Sequence, residues 1–184
     1  MNFVQVNFKI TGLEPGMLTN NPAKMGQSSQ GAKTKKIPSP EEEAEAGLYK
    51  DAEGNYCFPT MGFRASLLNV LSNKKVGKKA ANVVFSAAVF VEDEYVILRD
   101  PKTWKPLKDY DIDSRRCVVQ RNGVIRSRPK FPRWGCDLIF KVDTDLVSED
   151  QAFEQLSEAG QVIGVGDFRP ARKGMFGRYL VERK

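Results

Sequence analysis

Histidine is absent from the 184-residue chain. That removes the imidazole base of Ser-His-Asp and Cys-His chemistry and the commonest nitrogen ligand of transition metals. Cysteine is scarce: Cys57, Cys117 and Cys136 are an odd number, widely spaced, and no Cys-x-x-Cys pair occurs. A thiolate zinc site is therefore not indicated, and reduced thiols buried in the fold are expected. No apolar run reaches the length of a bilayer-spanning helix. Met1 to Leu13 alternates polar and apolar residues and lacks the continuous apolar block of a signal peptide. The expectation is a soluble, cytoplasmic chain with no membrane partner.

Acidic residues are missing from two stretches. Gly54 to Val91 carries Arg64, Lys74, Lys75, Lys78 and Lys79 with no acid, and Ser114 to Arg133 carries Arg115, Arg116, Arg121, Arg126, Arg128, Lys130 and Arg133 with none. The reverse holds for Asp143, Asp145, Glu149, Asp150, Glu154 and Glu158, among which no base falls. The net charge is +6. Segregation of this kind predicts a positive face and a separate negative one, and a polyanion suits the first. A merely basic, solvated surface is the alternative. Hydrophobic residues make up 41% of the chain, enough for one core.

Phe3, Val4, Val6, Phe8 and Ile10 interleave with Gln5, Asn7 and Lys9, which predicts a strand ending at Gly12. A stretch poor in large apolar residues follows, and its middle, Gly26 to Pro40, has linker composition. A mobile insertion over about 14–57 is expected, with a short helix at Glu41 to Leu48 and a thumb-like loop near Asn20, Asn21 and Met25. Thr60 is placed to cap a helix carrying Phe63, Leu67, Leu68 and Leu71. Val83 to Val91 reads as a buried strand, with Tyr95 to Leu98 returning from a turn at Glu92 to Glu94. Cys117 to Val119 and Val124-Ile125 read as short strands about an Asn122-Gly123 turn. Trp134 to Val142 is a strand with Leu138, Phe140 and Val142 on one face. Ser148 and Gln151 form a capping-box pattern before a helix with Phe153, Leu156 and Ala159, which Gly160 would end. Val162 to Val165 and Phe176 to Val181 read as closing strands. The pattern predicts an α+β domain, a doubled βαβ arrangement with two helices on one face of an antiparallel sheet.

The densest motif is GVGDFRPARKGMFGRYLV, Gly164 to Val181, where Gly164, Gly166, Gly174 and Gly177 stand among Arg169, Arg172, Lys173 and Arg178. Glycine permits close backbone approach, and its N–H groups can face a phosphate. No Gly-Lys-Ser/Thr follows, so it is not a P-loop, and no helical pattern follows, so it is not a dinucleotide fingerprint. A glycine-rich hairpin without a ligand is the alternative. The opening strand, the helix after Pro59 and this closing segment resemble the RAMP superfamily (repeat-associated mysterious proteins). Within it the likeness is to the backbone subunits of CRISPR effector complexes and to related single-domain proteins encoded by phages.

The resemblance implies a ferredoxin-like or RRM-like βαββαβ core over residues 1–184 and a glycine-rich loop at Gly160 to Gly177. It also implies binding of single-stranded RNA or DNA, with itself or related subunits as further partners. The residues support this independently, because phosphates need Lys and Arg while unstacked bases need aromatic faces. Arg128, Lys130 and Arg133 interleave with Phe131 and Trp134, and Phe168 stands beside Arg169; core packing is the alternative for Phe131 and Trp134. The candidate interface is thus Arg64, Lys74, Lys75, Lys78, Lys79, Arg115, Arg116, Arg126, Arg128, Lys130, Phe131, Arg133, Trp134, Phe168, Arg169, Arg172, Lys173 and Arg178, with the four loop glycines. No cofactor and no metal are implied. RAMP processing enzymes use histidine as a base, so that activity does not carry over. Some backbone subunits cleave RNA with a loop aspartate, for which Asp167 or Asp109, Asp111 and Asp113 would stand. A non-enzymatic binding protein is the primary expectation. A phage-type interaction or inhibitor module, using the acidic helix, and a metal-dependent nuclease are the alternatives.

Overall fold

A computed structural model describes residues 1–23, 38–119 and 122–184. Strand β1 (Phe3–Gly12) alternates as its sequence requires: Val6, Phe8 and Ile10 are buried while Phe3, Gln5 and Asn7 face outward. On one edge it pairs antiparallel with β10 (Gly135–Asp143), with Val6 opposite Phe140 and Phe8 opposite Leu138. On the other it pairs with β11 (Tyr179–Arg183), with Ile10 opposite Val181. Strand β6 (Val89–Val91) adds to the far side of β10. The resulting four-stranded sheet runs β11-β1-β10-β6, so its strands, counted along the chain, lie in the order 4-1-3-2.

Two long helices fill the loops of this pattern. Helix α2 (Thr60–Val70) buries Phe63, Ser66 and Leu67. The later helix, Glu149–Val162, begins at the expected capping box: the Ser148 hydroxyl accepts from Gln151 N at 3.1 Å, and the Gln151 side chain accepts from Ser148 N at 2.9 Å. It buries Ala152, Leu156 and Ala159. The core these elements share includes Phe8 edge-on to Phe140 at 5.9 Å, and a cluster of Phe63, Trp134 and Tyr179 with ring centroids 5.4–6.5 Å apart. Burying side chains of this size contributes about 1.5–3 kcal/mol each.

The fold departs from the sequence expectation at five places. Val83 to Val91 is not one strand: helix α3 (Ala81–Ala88) precedes β6, and Ala81, Phe85 and Ala88, at helical spacing, point into the core. Packing there overrides the β preference of Val83 and Val84 and leaves Val83 exposed. Strand β7 (Tyr95–Ile97) does not return along β6 but pairs with β3 (Cys57–Pro59), with Phe58 opposite Val96. Thr60 is the first helical residue and Pro59 the cap, so the Thr60 hydroxyl does not cap the helix and has no partner among the described residues. Gly160 lies inside the Glu149–Val162 helix, which we number α4; a Cβ there would stand 2.4 Å from the Tyr179 carbonyl oxygen. The glycine lets β11 approach the helix rather than ending it. Finally, Val162 to Val165 is not a strand, and the last strand begins only at Tyr179.

A second sheet is built around a long hairpin. Strands β8 (Asp111–Val119) and β9 (Asn122–Phe131) pair along their length, with Pro129 inside β9 opposite Ile112. Asn122 and Gly123 belong to β9, so the connecting turn, with Arg121, falls outside the described residues. Strand β2 (Met17–Leu18) pairs with the end of β9. Helix α1 (Pro40–Ala46) starts from a Ser39–Glu42 capping box and buries Ala44. Within the span 14–57, Met17, Leu18, Thr19, Leu48 and Cys57 are thus buried parts of the fold. The thumb-like loop at Met25 and most of the linker segment lie outside the described residues. A short hairpin, β4 (Lys75–Val76) and β5 (Lys79–Ala80), follows α2. The chain is therefore α+β with antiparallel sheets. Among the described residues no helix is long and apolar enough to cross a membrane.

Candidate nucleic-acid interface

The glycine-rich segment is a folded loop between α4 and β11, with a 3₁₀ turn at Pro170–Arg172, rather than a hairpin. Its glycines serve approach between backbones of the same chain. Gly177 has φ +73°, and a Cβ on it would stand 1.7 Å from the Val165 carbonyl oxygen. Gly166 has φ +75°, and its Cβ would stand 2.4 Å from the Leu18 carbonyl oxygen. The reason is a set of cross-loop bonds: Val165 N donates to Gly177 O at 2.9 Å, Gly177 N to Gly16 O at 2.8 Å, and Asp167 N to Leu18 O at 2.8 Å. The loop is thereby laced to β2, which in turn is paired to β9.

Side chains complete that connection. The Arg128 guanidinium, from β9, forms an ion pair with the Asp167 carboxylate in the loop and lies 3.6 Å from the Cys117 sulfur. Burial opposes its charge, but the Cys117 thiol and Asp167 outweigh burial and raise its pKa. Arg115, from β8, bonds Asp113 at 3.0 Å and lies over the Phe176 ring at 4.8 Å. Arg126 reaches Glu43 of α1 at 3.1 Å. The loop thus packs on the face of the hairpin that carries Asp113, Arg115, Cys117 and Arg128, and Arg116 alternates to the other face. Arg116, Arg133, Arg172 and Lys173 are exposed on these segments and make no ion pair among the described residues, and neither does half-buried Lys130. Among the described residues the exposed Arg178 side chain donates only to the Glu14 carbonyl, at 3.4 Å.

Other expected residues are placed differently. Phe131 and Trp134 are fully buried and present no face to a base. Trp134 packs on Phe63 and Tyr179, and Phe131 on Tyr56 and Tyr110, because the flat sequence signal of interleaved Arg and aromatic residues is also that of a strand with one face in the core. Phe168, in the left-handed region at φ +53°, is half-buried. Arg64 is spent on structure, donating to Val89 O at 2.8 Å and Ser86 O at 2.7 Å. Lys74 is bound to Gln155, at 2.8 Å, and to Glu158. Lys75, Lys78 and Lys79 are exposed on the β4–β5 hairpin, which follows the C-terminal end of α2.

The acids divide likewise. Asp150 pairs with Arg183, Glu158 with Lys74, and Asp145 with the N-terminal ammonium at 3.0 Å, while Asp143 is buried and accepts from Asn2 N at 3.1 Å. Two of the four acids of α4, Asp150 and Glu158, are therefore paired within the chain. Asp113 is held by Arg115 and Asp167 by Arg128 and by Phe168 N at 2.9 Å. Among the described residues no three His, Cys, Asp or Glu side chains gather as metal ligands would.

Two features escaped the sequence. A cleft of about 370 Å³ lies between α2 and the loop, walled by Asn20, Tyr49, Ala65, Asn69, Gly166 and Arg169. It joins four separate segments; its local trace is the stripe of small side chains at Gly62, Ala65, Ser66 and Asn69. On the open face of the main sheet, exposed Phe3 and Phe90 meet edge to face at 5.8 Å, and the Lys141 ammonium lies 5.3 Å from the Phe3 ring. No family model matches the chain, and no curated protein matches it.

Proposed function

We propose that this chain binds single-stranded nucleic acid, RNA or DNA, in the cytoplasm, with no chemical step of its own. The observation carrying the reading is the joining of the β8–β9 hairpin to the glycine-rich loop through Arg128–Asp167 and Arg115–Phe176. It sets Arg172 and Lys173, which make no ion pair among the described residues, in a loop held against the hairpin, and phosphates are neutralised by such side chains. The 4-1-3-2 strand order, with α2 and α4 as crossovers, is that of a ferredoxin-like βαββαβ core and supports the RAMP-type reading. Pairing of Asp150 and Glu158 of α4 with Arg183 and Lys74, and of Asp113 and Asp167 with Arg115 and Arg128, supports the binding reading over an interaction module or a nuclease.

Electrophoretic mobility with single-stranded RNA, single-stranded DNA and duplex, over a range of salt, tests the reading. Each phosphate contact contributes a slope of about −0.7 in log affinity against log salt. The double variant Arg172→Ala, Lys173→Ala should flatten that slope by roughly 1.4. No binding at low salt, or a salt-independent affinity, overturns the proposal.

A further inference from the structure

Resting on that reading, we infer that the cleft between α2 and the glycine-rich loop receives one unstacked nucleotide of the bound strand. Its volume of about 370 Å³ suits a single small ligand and no longer stretch of chain. One wall is aromatic: Tyr49, half-buried, stands edge to face with buried Phe58 at 6.0 Å. Such a ring is a stacking platform that accepts any base. The floor is open because α2 presents Gly62 and Ala65 there.

The polar groups at the cleft are of the kind a nucleotide needs. Asn69 and Asn20 are exposed and their side-chain amides have no hydrogen-bond partner among the described residues, while the Asn20 backbone carbonyl accepts from the Tyr49 hydroxyl at 3.4 Å. An amide carries donors and an acceptor together, which matches the edge of a base. Arg169 is held across the loop by its bond to Gly166 O at 2.9 Å, which leaves further guanidinium N–H groups for a phosphate. Asp167 also lines the cleft, but Arg128 neutralises it. Arg172 and Lys173 follow Arg169 within the same loop, on the 3₁₀ turn that begins next to the cleft residue. An unstacked base in the cleft adds stacking and edge recognition to an otherwise electrostatic contact.

Two substitutions in the full-length chain test this without touching the basic surface. Ala65→Trp fills the cleft from an exposed helix position, and Asn69→Asp places a negative charge at its rim while keeping the side chain's shape. The probes are short single-stranded RNA and DNA oligonucleotides, each with one 2-aminopurine, whose fluorescence reports its stacking. Wild-type protein should change the probe's emission, and both variants should lower affinity about tenfold with the salt slope unchanged. Thermal unfolding identifies a variant that fails to fold; if Ala65→Trp does, Asn69→Asp decides. Unaltered affinity in the folded variants overturns the cleft assignment and leaves the proposed function standing. A wild-type chain that binds no strand at low salt overturns both.

Discussion

Arg128 of β9 and Asp167 of the glycine-rich loop form an ion pair in which the arginine side chain is only 12% exposed and the aspartate 28%. Removing one partner strands the other in a partly dry site, which costs more than an exposed pair returns. Arg128→Ala should therefore destabilise the chain by about 1–3 kcal/mol. At this chain length that lowers Tm by roughly 2–4 °C per kcal/mol. Hydrogen exchange should quicken at the amides of Asp167 and Gly177, which the loop bonds protect. Unchanged Tm and exchange would mean that the backbone bonds alone hold the loop.

The loop glycines lead to a second expectation. A Cβ at Gly177 would fall 1.7 Å from the Val165 carbonyl oxygen, at a positive φ as well. Gly177→Ala should break the loop, with a loss on the order of 4 kcal/mol or more and lowered solubility. Gly54→Ala is the control: its φ is +81°, but no atom stands within 4 Å of the added Cβ. Only the backbone strain remains there, about 1 kcal/mol. Equal Tm losses in the two variants would show that conformation, and not close approach, demands glycine at position 177.

How far the sequence could be read depended on whether a signal was local. The β1 alternation, the Ser148–Gln151 box and the Leu138-Phe140-Val142 face depend on neighbours within a few residues, and the structure has them. Val83 to Val91 misled because β-branched residues fit either a strand or a helix whose buried stripe is Ala81, Phe85 and Ala88. The glycine-rich segment misled in another way. Glycine marks close approach without saying to what, and here the neighbour is the chain's own backbone at Gly16, Leu18 and Val165. Phe131 and Trp134 show the same ambiguity for aromatic residues. The cleft joins Asn20, Tyr49, Asn69 and Arg169 from four places in the chain and has no local signature at all.

The thiols should react unequally. Cys57 and Cys136 are buried; burial first, then Asp51, pushes the Cys57 thiol up to about 11, and burial pushes Cys136 higher still. Cys117 is partly exposed and lies 3.6 Å from the Arg128 guanidinium. A thiol-directed reagent at pH 8 should label Cys117 first in the folded chain and reach the other two only on unfolding, because the thiolate is the nucleophile. Peptide mass mapping at short times reads this directly. Early labelling of Cys57 or Cys136 would show that the core opens there on the timescale of the reagent.

Asp137 gives the last expectation, a pH dependence. On the outward face of β10 it accepts from Trp104 Nε1 at 3.0 Å, lies 3.5 Å from Arg99 Nε and pairs with Lys184. Burial alone would raise its pKa; the bonds from Lys184 and Trp104, with the charges of Lys184 and Arg99, more than offset it, and the net direction is downward. A carboxylate with a depressed folded pKa stabilises the fold above its unfolded value of about 3.9. That contribution fades as pH falls through the lower folded value. Asp137→Asn should therefore lower Tm at pH 7, and the gap to the wild type should close as pH drops from about 4 toward 2. Because the side chain is 33% exposed, added salt should narrow the pH 7 gap in part. Thermal unfolding across that pH range decides the matter: a gap that stays constant to pH 2 would mean that the asparagine loses packing or geometry at Trp104, and that the charge of Asp137 contributes nothing.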